Sequence, residues 1–184
     1  MRRGARCLLV GAQLPGALPD WIAAAGLDLL RLPSGIATGS VEDAKAIDRT
    51  ASIVKGRAAR KPVVVVSAMA KVTDTLLKMA QAAGSGDRET ALGLSRGLRE
   101  RHYNTAGELL GTGVFTRFHS ELEGEFDALD ELLRGIAAVG ELTPRTTDHV
   151  AAYGELLSSK IVSEAFAVRG LNATLVDSRA CIVT

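Results

Sequence analysis

The sequence predicts an α/β layered fold with a largely parallel sheet, and three observations support this prediction. Four consecutive valines, residues 63–66, lie between Pro62 and two small residues, a pattern typical of a buried strand in a parallel sheet. Several helical segments follow this run. A second short apolar segment, residues 173–177, comes after the last of them. Strands that alternate with helices in this way indicate parallel pairing.

The helix before the valine run is predicted to begin at Ser40, which would be its N-cap, and to end near Gly56. Apolar residues recur at helical spacing along it and give it one buried face. After the valine run, Thr73 or a neighbour opens a second helix that continues to Ala83. The glycines that follow end it, and Asp87 can cap the next helix.

Residues 88–139 are predicted to be helical almost throughout. Apolar side chains step by three and four along the second half of this segment, which is typical of an amphipathic helix. The glycines Gly111 and Gly113 divide the segment, so we expect an antiparallel pair of helices. Thr143 and Pro144 then begin a last helix, over about residues 145–169.

Composition and charge limit the classes of function. The chain has 184 residues and a formal net charge of +1, with 47% hydrophobic and 4% aromatic residues. It is long enough for one domain with a sizeable core. The balanced charge and the lack of a basic stripe give no reason to expect a nucleic-acid partner. No stretch reaches the roughly 18 apolar residues of a membrane span, so we expect no membrane partner and a cytoplasmic location.

Cysteines and histidines give no sign of a metal site. Cys7 and Cys181 are far apart in the sequence and belong to no metal-binding pattern, which argues against a disulfide or a zinc site. His102, His119 and His149 lie on predicted helices without the spacing of metal ligands. We expect all three histidines to lie at the surface and the chain to have no metal ligands of its own.

The segment after the valine run is the first candidate site. Ser67 follows the strand directly, and the loop then leads through Thr73 into a helix. Two hydroxyls, backbone N–H groups and a helix N-terminus are suited to bind a carboxylate or a phosphate. The alternative is that Ser67 is simply a small residue and that Thr73 is an ordinary cap. Composition alone favours the alternative.

Two further places have the residue types of a binding site. Glu155 follows Gly154 inside an apolar helical stretch, and a glycine there indicates close approach of another backbone or a ligand. Glu155 could accept hydrogen bonds from an ammonium group, or it could lie on a solvated face beside Ser159 or Lys160. Gly39 and Ser40 belong to a small-residue turn that could hold a phosphate, although the residues taken alone favour an ordinary N-cap turn.

Three motifs resemble the aspartate kinases, a branch of the amino-acid kinase family. Residues 62–77 resemble the family's segment P-V-V-V-V-S-A-M-x-x-V-T-D-x-L-L. Residues 142–148 and 154–158 resemble its L-T-P-R-T-x-D and G-E-x-L-S segments, and residues 176–179 resemble the strand and turn that come next. The order and spacing agree with the family from about residue 40 to residue 184.

The resemblance implies both a fold and an activity. Aspartate kinases have a three-layer α/β/α sandwich with a mainly parallel sheet, and they transfer the γ-phosphoryl group of ATP to the side-chain carboxylate of L-aspartate. This reaction is the first step towards lysine, threonine and methionine. ATP with Mg²⁺ and L-aspartate are therefore the implied ligands, and a homo-oligomer is a further expectation. The helical segment 88–139 resembles the insertion of the aspartate kinases with longer insertions.

The resemblance also implies residue roles. Ser67 and Thr73 would contact aspartate or the reacting phosphoryl group, and Glu155 would bind the aspartate ammonium. Residues 35–41 stand at the place of the family's phosphate-binding motif K-F-G-G-T-S-V, but only Gly39, Ser40 and Val41 keep its character, and the glycine is displaced by one position. No lysine stands at the place of that motif's lysine, so no catalytic residue is assigned.

The departures from the family predict an incomplete enzyme. Residues 1–39 form a divergent N-terminal segment, and residues 40–184 correspond to part of the catalytic domain, which ends inside an apparent strand. A chain that lacks the lysine and the second half of the family's domain is expected to be inactive, because phosphoryl transfer depends on charge neutralisation. Two alternatives stay open: a non-catalytic fragment or pseudoenzyme that binds aspartate weakly or pairs with a partner chain, and another amino-acid kinase.

Overall fold

One parallel sheet and four α-helices make up the described part of the chain. The structure is a computed structural model, and it describes residues 6–11, 28–29 and 43–177. The strands are β1 (Arg6–Gly11), β2 (Asp28–Leu29), β3 (Pro62–Val66) and β4 (Asn172–Asp177). The helices are α1 (Ala44–Gly56), α2 (Val72–Gly84), α3 (Arg88–Val139) and α4 (Pro144–Val168), and a short 3₁₀ helix (Ala58–Arg60) precedes β3.

The four described strands pair in the order β2-β3-β1-β4, and each pairing is parallel. Strand β1 was not predicted from the sequence, and it lies in the segment that shows no resemblance to the aspartate kinases. The structure nevertheless places β1 between β3 and β4. Parallel strands of one sheet require crossover connections. Helix α1 lies in the connection from β2 to β3, and α2, α3 and α4 lie in the connection from β3 to β4, which are on either side of β1.

The valine strand has two different faces. Val64 and Val66 belong to the main core, together with residues of the helices. Val63 is buried as well, but Val65 is 36% exposed, so the prediction that the whole run is buried on both faces is wrong at Val65. Alternate residues of a strand point to opposite faces. The described helices therefore cover the face of Val64 and Val66 and leave Val65 accessible on the other face.

Local signals determine where the helices begin. The side chain of Asp43 accepts a hydrogen bond from the Ala46 N–H at 2.7 Å and caps α1, so the prediction that the helix begins at Ser40 is wrong, and Ser40 itself lies outside the described residues. Asp87 caps α3 through the Thr90 N–H, as predicted. Thr143 caps α4 through the Thr146 N–H, also as predicted.

Helix α3 folds back on itself as an antiparallel pair. Gly111 has φ +68° and ψ 163°, a conformation that favours glycine, and it separates a first arm, residues 88–110, from a second arm, residues 112–139. Arg99 of the first arm forms ion pairs with Asp127 and Asp130 of the second. Ser95 donates a hydrogen bond to Asp130 at 2.5 Å. These contacts confirm the predicted hairpin.

The hairpin packs on α2 and α4 and contains a buried histidine. His102 is 0% exposed, so its predicted surface position is wrong. Its ring contacts the Phe126 ring edge to face, with centroids 5.5 Å apart, and its Nδ1 lies 2.7 Å from the Leu98 carbonyl oxygen. His149 is exposed and His119 is half-buried. None of the helices among the described residues is long and apolar enough to cross a membrane.

Candidate functional site

The carboxyl ends of three strands meet at one edge of the sheet. Gly11 pairs with Val66 in β3 and with Asp177 in β4, so β1, β3 and β4 end side by side. The segment of residues 67–71 leaves this edge and leads into α2. Ligands of open parallel sheets bind at this edge, beyond the strand ends. Ser67 therefore lies where the sequence analysis expected a binding site.

Helix α4 contacts this segment closely at Gly154. A Cβ atom on Gly154 would lie 2.8 Å from the Cβ of Ala68 and 3.3 Å from a methyl carbon of Leu76. The first distance is too short for two carbon atoms in van der Waals contact. The close approach that the sequence analysis expected at this glycine is therefore an approach by the Ala68 side chain. Only glycine lets α4 come this near to the segment after β3.

Ser158 joins α4 to the segment by a hydrogen bond. Its buried hydroxyl lies 2.7 Å from the backbone oxygen of Ser67 and 3.2 Å from that of Glu155, one turn back along α4. The backbones of Ser67 and Glu155 are therefore close neighbours. Sequence reasoning did not identify Ser158, although the four-residue step from Gly154 to Ser158 puts both on one face of the helix.

Glu155 is an acid in a largely buried position. The residue is 9% exposed, and its carboxylate has no hydrogen bond or ion pair with any residue in the described ranges. The alternative of a solvated acid beside Ser159 or Lys160 is wrong. Ser159 donates to the Leu156 carbonyl instead, and Lys160 pairs with Glu121 and Glu125 of the second arm. A buried carboxylate without a cationic partner is suited to receive one from a ligand.

Thr73 is the second residue of α2. The N-cap of this helix is Lys71, which has a left-handed conformation (φ 60°) and provides no side-chain cap. The alternative in which Thr73 is only a cap is therefore wrong. N–H groups at a helix N-terminus are not paired within the helix. The Val72 N–H is bonded to the Met69 carbonyl, so the absence of a side-chain cap leaves the N–H groups of Thr73 and Asp74 available to an anionic ligand.

The predicted phosphate-binding turn and the expected absence of metal ligands concern other parts of the site. Gly39 and Ser40 lie outside the described residues. Among residues 6–11, 28–29 and 43–177, no group of three His, Cys, Asp or Glu side chains could hold a metal ion. Mg²⁺ that accompanies a nucleotide is usually held by one or two carboxylates and the phosphates, so such a group is not required for it.

Comparisons with known proteins identify the family and a similar fold. The family model of the amino acid kinase family matches residues 36–183. E. coli aspartokinase III, solved in complex with lysine and aspartate, has a similar structure, with a TM-score of 0.61 and 25% sequence identity over 72% of this chain and 28% of that chain. The chain belongs to the amino acid kinase family.

Curated relatives within this family are aspartokinases. The chain is 34% identical, over 76% of its length, to bifunctional aspartokinase/homoserine dehydrogenase 2 of Zea mays. It is 36% identical, over 67% of its length, to aspartokinase 2 of Arabidopsis thaliana, and 38% identical, over 66%, to aspartokinase 3 of the same plant. The chain spans 15%, 22% and 21% of these relatives.

Proposed function

We propose that this chain forms the aspartate-binding part of an aspartate kinase, which transfers the γ-phosphoryl group of ATP to the side-chain carboxylate of L-aspartate. The hydroxyl of Ser158 supports this proposal, because it joins the backbones of Ser67 and Glu155 at the carboxyl edge of the sheet. The acid Glu155 and the hydrogen-bond donors of the segment after β3 are thereby close to one another. The similar aspartokinases supply the identity of the reaction.

Each proposed role follows from charge. Glu155 binds the ammonium group of aspartate, since an ammonium is the partner that a buried carboxylate requires. Ser67 and Thr73, with the uncapped N-terminus of α2, donate hydrogen bonds to a carboxylate of aspartate or to the phosphoryl group. Ammonium and carboxylate contacts at separate places orient the amino acid. Orientation of this kind is the main contribution that a protein makes to phosphoryl transfer.

ATP would meet aspartate at the same edge of the sheet. The turn that contains Gly39 and Ser40 is proposed to contact its phosphates, as the resemblance implies. We also propose that the complete fold is a three-layer sandwich, in which a second layer of helices covers the face of Val65. The exposure of Val65 supports this arrangement, because a valine in the middle of a parallel strand is normally covered.

A titration of L-aspartate into the chain tests the role of Glu155. Glu155→Gln keeps the size of the side chain and removes its charge, so it is expected to weaken aspartate binding about tenfold or more. ATP affinity is expected to stay within about twofold. Isothermal titration calorimetry measures both affinities, and a coupled assay of ADP release measures turnover.

Glu131→Gln is the matched control, because Glu131 is exposed on the second arm of α3. It is expected to leave both affinities unchanged. Equal losses of aspartate and ATP affinity in Glu155→Gln would contradict the assigned role. A wild-type chain that does not bind aspartate at millimolar concentrations would overturn the proposed function itself.

A further inference from the structure

A side chain of the helical hairpin hydrogen-bonds to the segment that carries Ser67. Nη1 of Arg101, in the first arm of α3, lies 2.6 Å from the carbonyl oxygen of Ala70. The two residues are 31 positions apart. Both are half-buried, so water screens this contact less than it would at the surface. A charged donor at this distance makes one of the stronger kinds of protein hydrogen bond.

The carbonyl of Ala70 has no role in the helix that follows it. The Met69 carbonyl accepts from the Val72 N–H at 3.1 Å, and the Lys71 carbonyl accepts from the Thr75 N–H at 3.2 Å. The Ala70 carbonyl lies between these two carbonyls in the sequence, and it accepts its hydrogen bond from Arg101 of α3. The hydrogen bond from Arg101 therefore fixes the one peptide of this turn that α2 does not fix.

The turn itself has a conformation that requires support. Lys71 has φ 60°, a left-handed conformation that is unfavourable for a residue with a long side chain. Unfavourable backbone conformations persist where surrounding contacts hold them in place. The peptide that joins Ala70 to Lys71 carries the carbonyl bound by Arg101. The same contact thus holds the conformation that directs the chain into α2.

We propose that Arg101 is a positioning residue, which holds the segment of residues 67–71 and the N-terminus of α2 in the geometry that binds the substrate. Arg101 acts through the Ala70 carbonyl and not by touching the substrate. The helical hairpin thereby contributes to the candidate binding site as well as to the core. The effect on aspartate affinity rests on the proposed function, whereas the effect on the segment does not.

Hydrogen exchange measured by mass spectrometry tests the positioning role without a ligand. Arg101→Met removes the donor and keeps an apolar stem, so amide exchange in residues 67–75 is expected to rise about tenfold. Arg101→Lys retains one donor and is expected to restore most of the protection. Arg96→Met, at an exposed arginine of the same arm, is the control and is expected to leave these amides unchanged.

Aspartate titration of the same variants provides the second measurement. Arg101→Met is expected to weaken aspartate affinity about tenfold and to leave ATP affinity unchanged. Unchanged exchange in residues 67–75, or an equal rise throughout the first arm, would overturn the positioning role. A wild-type chain that does not bind aspartate would instead count against the proposed function, and the exchange pattern would still decide the role of Arg101.

Discussion

At the scale of single residues, one turn of α4 builds most of the candidate site. Gly154 leaves the space for close contact with Ala68, Glu155 supplies the negative charge, and Ser158 pairs with the backbone carbonyl of Ser67. Gly154 and Ser158 act across the same short gap, and a change at either residue therefore affects the distance between α4 and the segment after β3.

Gly154→Ala tests the importance of the space. The added methyl group would lie 2.8 Å from the Ala68 Cβ, which is attached directly to the backbone and cannot turn away. We expect the free energy of unfolding to fall by about 1–3 kcal/mol, as for other overpacked sites, and aspartate affinity to fall with it. Urea denaturation and calorimetric titration measure the two effects.

Gly124→Ala is the control for this substitution. Gly124 is an exposed residue of the second arm, with no atom within 4 Å of an added Cβ. Alanine favours a helix over glycine by about 1 kcal/mol, so this variant is expected to be slightly more stable. A Gly154→Ala chain as stable as Gly124→Ala would contradict the close contact between α4 and Ala68.

The roles of Ser67, Thr73 and Glu155 were predicted from motifs, and the structure explains why composition alone could not identify them. A solvated Glu155 and a capping Thr73 are common in helices; tertiary packing buries Glu155, and the N-cap of α2 at Lys71 puts Thr73 inside the first turn. Ser158 and Arg101 gave no signal of their own, because each acts by hydrogen bonding to a backbone carbonyl distant in sequence. Such bonds depend on where the chain passes, which local patterns do not encode.

At the scale of elements, the α3 hairpin is held by charge as well as by its apolar seam. Arg99 pairs with two aspartates across the hairpin, and Lys160 of α4 pairs with Glu121 and Glu125 of the second arm. Burial alone would lower the pKa of Lys160, but its hydrogen bonds and charge interactions with the two glutamates outweigh burial and raise this pKa. The Arg99 ion pairs therefore hold the two arms together, and the Lys160 ion pairs attach the second arm to α4, the helix that carries Glu155.

Gly111→Ala tests the reversal of the chain within α3. The left-handed φ of Gly111 disfavours alanine, so the free energy of unfolding is expected to fall by about 1–3 kcal/mol. Gly113→Ala, two residues later at an exposed helical position, is the control and is expected to raise it by up to about 1 kcal/mol. Denaturation of both variants in urea measures the difference. If the two variants were equally stable, Gly111 would not be the point of reversal.

The helices were more predictable from the sequence than the sheet. Asp87 and Thr143 cap their helices as predicted, because capping depends on a few neighbouring residues. The strand β1 was missed, because its apolar run has no periodic pattern and precedes Gln13 and Pro15. Its place between β3 and β4 follows from pairing with residues far along the chain. His102 was misplaced for a similar reason, since the partner that buries it, Phe126, lies on the other arm.

At the scale of the whole molecule, His102 makes stability depend on pH. The pKa of His102 is lowered from 6.5 to about 4, mainly by burial; a hydrogen bond to the Leu98 carbonyl partly opposes this lowering, and the nearby positive charge of Arg101 adds to it. Nε2 is buried without a hydrogen-bond partner among the described residues. A proton there would add a charge in the core beside Phe126, where no solvent could stabilise it.

The sign of the pH effect follows from linkage. Between pH 6.5 and about pH 4 the unfolded chain binds a proton at His102 that the folded chain does not bind. The stabilising contribution is therefore complete above pH 6.5 and is lost as the pH falls to about 4. It amounts to about 3 kcal/mol at 1.36 kcal/mol per pKa unit.

Urea denaturation at a series of pH values from 7 to 4 is expected to show this loss in the wild-type chain. A much smaller loss is expected in His102→Leu, which cannot take up the proton. His149→Gln, at an exposed histidine, is expected to follow the wild-type curve, and a His102→Leu chain with the same pH dependence as wild type would show that other groups cause it.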